Sequence, residues 1–321
     1  MTENKINASI GTVGVLRLAD VPMETAPTTA YLMLGGRCAL SCAFCAQARD
    51  SEASALKRSR VTWPEYDLET MIEGLAGAAR RGEIKRACLQ VTVGRYSFDR
   101  TLETVRAIKK AVPDLPVDAA ILLGNFGQAE SLLEAGVDHI GIGLDAANRS
   151  VFERVKGSHW DHVWALIEGL SERYPGQVSV HVIVGLGETE RDVVEVIQHL
   201  HDLGATVGLF AFTPVRGTPL ENVPQPPLDV YRRMQAARYF VCVKGIRMDR
   251  FDFSSAEGLL DFGVADGEAL LAEGRAFQTS GCPDCNRPFY NERPGGVMYN
   301  YPRPLTAEEA QAALEELRLG C

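Results

Sequence analysis

Short apolar runs alternate along this chain with longer stretches whose apolar residues recur every three or four positions. The runs Thr29–Leu34, Arg86–Val93, Pro116–Leu122, His139–Leu144, Val178–Val184 and Thr206–Phe212 read as strands, with Ile246–Phe253 as a seventh. The periodic stretches Leu68–Arg80, Thr101–Ala111, Ala129–Ala135, Asp161–Glu172, Thr189–Leu203 and Val230–Val243 read as helices. A strand followed by a helix, repeated this often, predicts an α/β fold whose parallel sheet curls into a (β/α) barrel of TIM type. Turn residues close several strands: Gly35-Gly36, Gly124-Asn125 and Gly185-Leu186-Gly187. From Ser254 the rhythm stops, and Gly, Pro and Asn become frequent through Gly281–Pro304. The pattern thus divides the chain into a barrel core at 1–253 and an extension at 254–321. Thr306 and Glu309 are spaced as a capping box at the start of a final helix through Ala310–Leu319.

Within a strand, alternate residues share a face. His139, Gly141, Gly143 and Asp145 face one way, and Ile140, Ile142 and Leu144 face the other. The apolar row suits contact with outer helices. The opposite row then lines a roomy interior and ends in Asp145, at the rim where barrel sites form. Taken alone, a turn or helix-cap residue is the alternative reading of that Asp. In the second run Cys88, Gln90 and Thr92 share the inward face, where a Cys is as readily a plain buried thiol. His181, flanked by Ser179 and Ile183 on its face, reads first as a satisfied core histidine.

Composition narrows the chemistry. A chain of 321 residues, 46% of them hydrophobic, can bury a large core without disulfides or a structural metal. Its formal net charge of -9 leaves no basic footprint for nucleic acid. The pairs Lys109-Lys110 and Arg232-Arg233 read as solvated faces of helices. No run of about 18 apolar residues occurs, so no membrane span is expected, and the first ten residues lack the apolar core of a signal peptide. The expected location is cytoplasmic, where thiols stay reduced. That turns the eight cysteines toward metal or redox chemistry.

Cys38, Cys42 and Cys45 follow the first strand directly, behind Gly35-Gly36. A short loop can bring three thiolates onto one iron–sulfur cube, which leaves one of its irons open for chemistry. A three-Cys zinc site with a distant fourth ligand is the alternative, but it gives no reason for a place after the first strand of a βα series. The Cys-x-x-x-Cys-x-x-Cys spacing, with Phe44 before the last Cys, resembles the radical S-adenosylmethionine (SAM) superfamily. The resemblance implies a [4Fe–4S] cluster on Cys38, Cys42 and Cys45 whose open iron chelates SAM, giving a 5′-deoxyadenosyl radical on reduction. Val182–Thr189 and Glu134–Asp145 resemble the fifth- and fourth-strand segments of the biotin synthase-like branch. The implied cofactor-binding residues are then Phe44 against the adenine, Asp145 on the ribose, and Gly185 and Glu188 at the same rim.

The likeness to biotin synthases has gaps. That family draws auxiliary-cluster cysteines from its third and fifth strands and substrate-binding asparagines from its fourth. Here Ala119-Ala120, Ser179, Gly141 and Gly143 stand in those places. A pocket built to hydrogen-bond a ureido ring loses strongly without its donors. The tail carries Cys282 and Cys285 as a Cys-x-x-Cys clip, which needs further ligands whether it holds zinc or iron–sulfur. Cys242 lies in an apolar helical run and reads as core. The stretch Cys282–Pro304, with the core, resembles the two-component lipoyl synthases. That resemblance implies an auxiliary iron–sulfur cluster on Cys282 and Cys285, with Cys88 or Cys321 as a further ligand, consumed as the sulfur source for a protein-bound octanoyl-lysine. Asn286, Arg287, Asn291 and Glu292 either shape its pocket or are turn residues. The implied partners are an octanoylated lipoyl-carrier protein, a paired radical SAM component and a reductant such as ferredoxin or flavodoxin. A variant biotin synthase acting on dethiobiotin, and radical SAM chemistry without sulfur transfer, are the alternatives.

Overall fold

In the computed structural model, residues 4–54, 56–58, 60–288, 290–292 and 295–319 are described. Cys321 lies outside them. In chain order the strands are β1 (Lys5–Ala8), β2 (Thr29–Leu34), β3 (Lys57–Arg58), β4 (Val61–Thr62), β5 (Glu65–Asp67), β6 (Arg86–Val91), β7 (Val117–Ala120), β8 (His139–Asp145), β9 (Val178–Val184), β10 (Thr206–Ala211), β11 (Asp252–Phe253) and β12 (Leu259–Asp261). The helices are α1 (Ile10–Val15), α2 (Leu68–Arg80), α3 (Ser97–Ala111), α4 (Phe126–Glu134), α5 (Arg149–Lys156), α6 (Trp160–Arg173), α7 (Glu190–Asp202), α8 (Leu228–Lys244), α9 (Gly267–Leu271) and α10 (Ala307–Glu315).

The main sheet runs β10-β9-β8-β7-β6-β2-β1-β5. Its six strands from β10 to β2 are mutually parallel, while β1 lies antiparallel to β2 and β5 antiparallel to β1. Parallel strands need long crossovers, and the helices between them cover the outer face. Ile140, Ile142 and Leu144 are buried there, as their alternation requires. At its start α7 carries a capping box, Thr189 with Asp192, and α10 carries the expected one, Thr306 with Glu309. Each cap contributes about 1 kcal/mol. At either end of the sheet, β10 and β5 have a single ladder neighbour, so the barrel curls without closing on itself.

The tail bridges the interior that this leaves. On the β10 side the Leu209 N–H donates to Ser280 Oγ (2.9 Å), and Asn291 Nδ2 donates to the Ala211 carbonyl (2.7 Å). On the β2 side the Thr28 N–H donates to Asn286 Oδ1 (3.0 Å), and the Arg287 N–H donates to the Tyr31 hydroxyl (2.8 Å). Such bonds satisfy backbone groups that burial would otherwise orphan.

Two expectations are corrected. Ile246–Phe253 is not a seventh barrel strand. Only Asp252–Phe253 is extended, paired antiparallel with β12 outside the main sheet. Nor are Arg232 and Arg233 solvated, being 1% and 8% exposed. Arg232 donates to Glu316, Gln235 and the carbonyls of Met298 and Tyr299, while Arg233 pairs with Glu190 and Asp229. The tail packs over α8, and these guanidiniums fasten it there.

Candidate active site

The cysteine loop is held open by its own backbone. Gly35 has φ +93, and a Cβ there would stand 2.1 Å from Thr92 Oγ1, so the chain can leave β2 this way only with glycine. Arg37 reaches back to the carbonyls of Ala46 (2.6 Å) and Ala53. The Cys38 N–H meets the Gln47 carbonyl at 2.8 Å, and the Ala43 N–H meets the Val155 carbonyl at 2.8 Å. Cys38 Sγ accepts the N–H groups of Leu40 (3.4 Å) and Val93 (3.3 Å). At Cys42, burial pushes the thiol up to about 12; Lys156 opposes this, and Cys45, Asp145 and Cys38 add to it.

All three cysteines line one cavity of about 240 Å³. Phe44 and Asp145 line it, together with Gln90, Thr92, His181 and Lys156. Asp145 takes φ +65, rare for a residue with a side chain. Its carboxylate pairs with Lys156 Nζ at 2.7 Å, the two side chains 17% and 7% exposed. Lys156 also donates to the Gly143 carbonyl, which anchors the cation at the mouth of β8. His181 faces the cavity and meets Phe210 edge-on at 5.3 Å, so it is a wall of the site as well as of the core.

Gly185 and Glu188 stand outside that lining. Glu188 accepts the N–H groups of Gly185 (2.5 Å) and Leu186 (3.0 Å), bracing its own turn with both carboxylate oxygens. Burial raises its pKa above the usual carboxylate value, while those amide bonds pull the other way.

A second group of thiols lies deeper. The register sets Tyr31, Cys88 and Asp118 side by side across β2, β6 and β7. Cys88 and Cys285 pack on Tyr31, Met33 and Trp63. Tyr31 places its hydroxyl 3.4 Å from Cys285 Sγ. Cys282 takes a hydrogen bond from Ser179; burial raises its thiol pKa, and Asp118, Cys285 and Cys88 raise it further. Cys88 precedes Val93 by five residues, so along the strand this group lies about 16 Å from the loop sulfurs. Gln90, His181 and Tyr290 occupy the space between. Among the described residues, no three His, Cys, Asp or Glu side chains are already drawn together as a metal-holding cage.

The family profile of the Radical SAM superfamily matches residues 32–200, more than half of the chain. The chain belongs to the radical SAM superfamily. Within it, the relatives place the chain in the biotin synthase-like branch. It is 32% identical over 222 residues to biotin synthase of Saccharopolyspora erythraea, covering 66% of this chain and 59% of that protein. It is 34% identical to that of Kocuria rhizophila, covering 66% and 45%. To that of Desulforudis audaxviator it is 31% identical, covering 77% and 74%. The chain therefore spans about half of the first two relatives' length and most of the third's. In fold it is similar to HydG, a maturase of the [FeFe]-hydrogenase, with TM-score 0.55 at 13% identity, covering 67% of this chain and 50% of that one. It is similar also to methylornithine synthase (PylB), with TM-score 0.52 at 16% identity, covering 65% and 62%.

Membership implies a [4Fe–4S] cluster with SAM, and this radical SAM chain has residues that suit both. Three thiols sit on one loop with amide donors on Cys38 Sγ, and a buried ion pair lines the same cavity near Cys42. The alternation pattern found Asp145 but not Lys156, whose lysine on a helix end looks like any surface cation. It found Cys88 but not Tyr31, which sits in a run buried on both faces and so shows no period. No helix among the described residues is long and apolar enough to cross a membrane.

Proposed function

We propose that this radical SAM protein inserts sulfur into unactivated C–H bonds, and that its substrate is a protein-bound octanoyl-lysine on the way to a lipoyl group. The observation that carries this reading is the tail, which bonds to both sides of the barrel interior and brings Cys282 within electrostatic reach of Cys285 and Cys88. Cys38, Cys42 and Cys45 would hold a cluster that with SAM would supply a hydrogen-abstracting radical, and Cys282 and Cys285 would hold a second that would supply sulfur. The chain's own residues do the rest. Asp145, fixed by Lys156, would offer carboxylate oxygens to the ribose hydroxyls. Phe44 would meet the adenine from the loop. Gln90, His181 and Tyr290 hold the substrate carbon between the two thiol groups and keep water away from it. Cys88 would be the further ligand of that cluster, with Cys321 as the other candidate. The octanoylated carrier protein, a paired radical SAM component and a ferredoxin or flavodoxin reductant belong to the same proposal.

The relatives favour a second reading, sulfur insertion into dethiobiotin. Against it, Gly141 and Gly143 offer no side-chain donors to a ureido ring. Anaerobically reconstituted protein with SAM, reductant and either an octanoyl-lysine peptide or dethiobiotin separates the two by mass spectrometry. The proposal expects sulfur in the octanoyl chain. Sulfur in dethiobiotin alone, or 5′-deoxyadenosine with sulfur in neither, contradicts it.

A further inference from the structure

Beside the cysteine-lined cavity lies a groove of about 1140 Å³. Pockets for free small molecules usually measure about 300–1,000 Å³, so this one exceeds what a compact substrate needs. Two tyrosines of its lining lead toward the two thiol groups. Tyr290 lines both the groove and the cysteine cavity. Tyr31 lines the groove and holds its hydroxyl 3.4 Å from Cys285 Sγ. At its outer end Ile10 and Met23 stand on the walls at 38% and 37% exposed, with Val21, Pro22 and Glu24 beside them. Large apolar side chains left open to water next to a deep groove mark a binding surface. The wall is also firm. A Cβ on Gly14 would stand 2.9 Å from both Met23 Cε and Val21 Cβ, so α1 seats directly on the 21–23 segment. Charges of both signs, Lys57 and Glu52, lie along the groove.

We propose that this groove takes the extended acyl chain of an acyl-lysine presented by a carrier protein. The chain passes between Ile10 and Met23 and ends at Tyr290, while the carrier stays outside. The inference rests on the acyl-lysine reading above and adds the path, its apolar mouth and a preference for long unbranched chains. A fused-ring acid small enough for the inner cavity gains nothing from such a mouth, whereas each methylene of a chain does.

The test measures binding of fluorescent peptides carrying butanoyl-, hexanoyl- or octanoyl-lysine to the reconstituted protein by anisotropy. Affinity is expected to rise about fourfold per added methylene. Ile10→Asp and Met23→Asp each weaken the octanoyl peptide about five- to tenfold and flatten that series. Circular dichroism and iron content check that the variants are folded and loaded. A steep series that both variants leave unmoved overturns the groove alone. Equal binding of the unacylated peptide, or no binding of any acyl peptide, overturns the groove and the acyl-lysine reading together.

Discussion

Arg232→Met tests whether the tail is held in the barrel by the contacts described. The guanidinium is 1% exposed and stacks over Phe277 and Tyr301 at 5.4 and 5.6 Å. It donates to the Met298 carbonyl at 2.6 Å, the Tyr299 carbonyl at 2.9 Å and Glu316 at 2.9 Å. Methionine keeps an apolar stem of similar length and removes every donor. Glu316 is 36% exposed and rehydrates at little cost. The Tyr299 carbonyl keeps Gln235 Nε2 at 2.9 Å. The Met298 carbonyl loses a charged donor, which costs about 1–3 kcal/mol for a buried group. Removing one side of a buried ionic network costs about 3–5 kcal/mol, and relief of the guanidinium's desolvation returns part of that. A net loss of about 3 kcal/mol, localised to the tail, raises its open population roughly 100-fold. Limited proteolysis under native conditions reads that population when reclosing outpaces cleavage. Cutting between Met298 and Leu319 is expected to accelerate about 100-fold while the core stays resistant. A rate within threefold of the parent refutes the reasoning.

Three further outcomes follow from the loop and the caps. Gly35→Ala places a Cβ into Thr92 Oγ1 and forces φ +93 on a residue with a side chain, costing about 1–3 kcal/mol; iron analysis should show the N-terminal cluster poorly incorporated, and normal loading contradicts the geometry. In metal-free protein the Cys42 thiol, pushed up to about 12 by burial, is ionised in about one molecule in ten thousand at pH 8, so its alkylation, followed by peptide mass spectrometry, should climb with pH well past 9; a plateau near pH 9 contradicts this. The Glu309 carboxylate is lowered to about 2, chiefly by Arg303. Its contribution to α10 is therefore complete above the unfolded carboxylate value near 4.5 and disappears as pH falls toward 2. Glu309→Gln should remove that acid-dependent fraying, seen by hydrogen exchange of α10, and an unchanged pH profile refutes the link.

Much of the fold is legible from local pattern. Thr29–Leu34 and Val178–Val184 form strands over the full span their apolar runs predict, because runs bounded by turn residues mark both ends. Ile246–Phe253 looks the same and is not, since its residues cap α8 and fold back on Leu259–Asp261 rather than reaching the sheet. β1 shows only four residues, too few for alternation to register. Arg232 and Arg233 mislead for a different reason. A basic pair on a helix is ordinarily solvated, and nothing local says that a segment about 70 residues later covers it. The site divides the same way. Cys38, Cys42 and Cys45 are one loop, and Asp145 ends a strand whose alternation is visible. The approach of Cys282 and Cys285 to Cys88 is a long-range pairing set by the tail's path. Lys156 reaches Asp145 only because α5 starts directly after β8.

Iron counted per chain, with Mössbauer spectra on anaerobically reconstituted protein, tests the central claim most directly. Two thiol groups each holding a four-iron cluster predict about eight irons in the parent and about four in Cys282→Ala and Cys285→Ala, with SAM cleavage to 5′-deoxyadenosine retained. About four irons in the parent and both variants would leave the deeper thiols without a cluster and contradict the account.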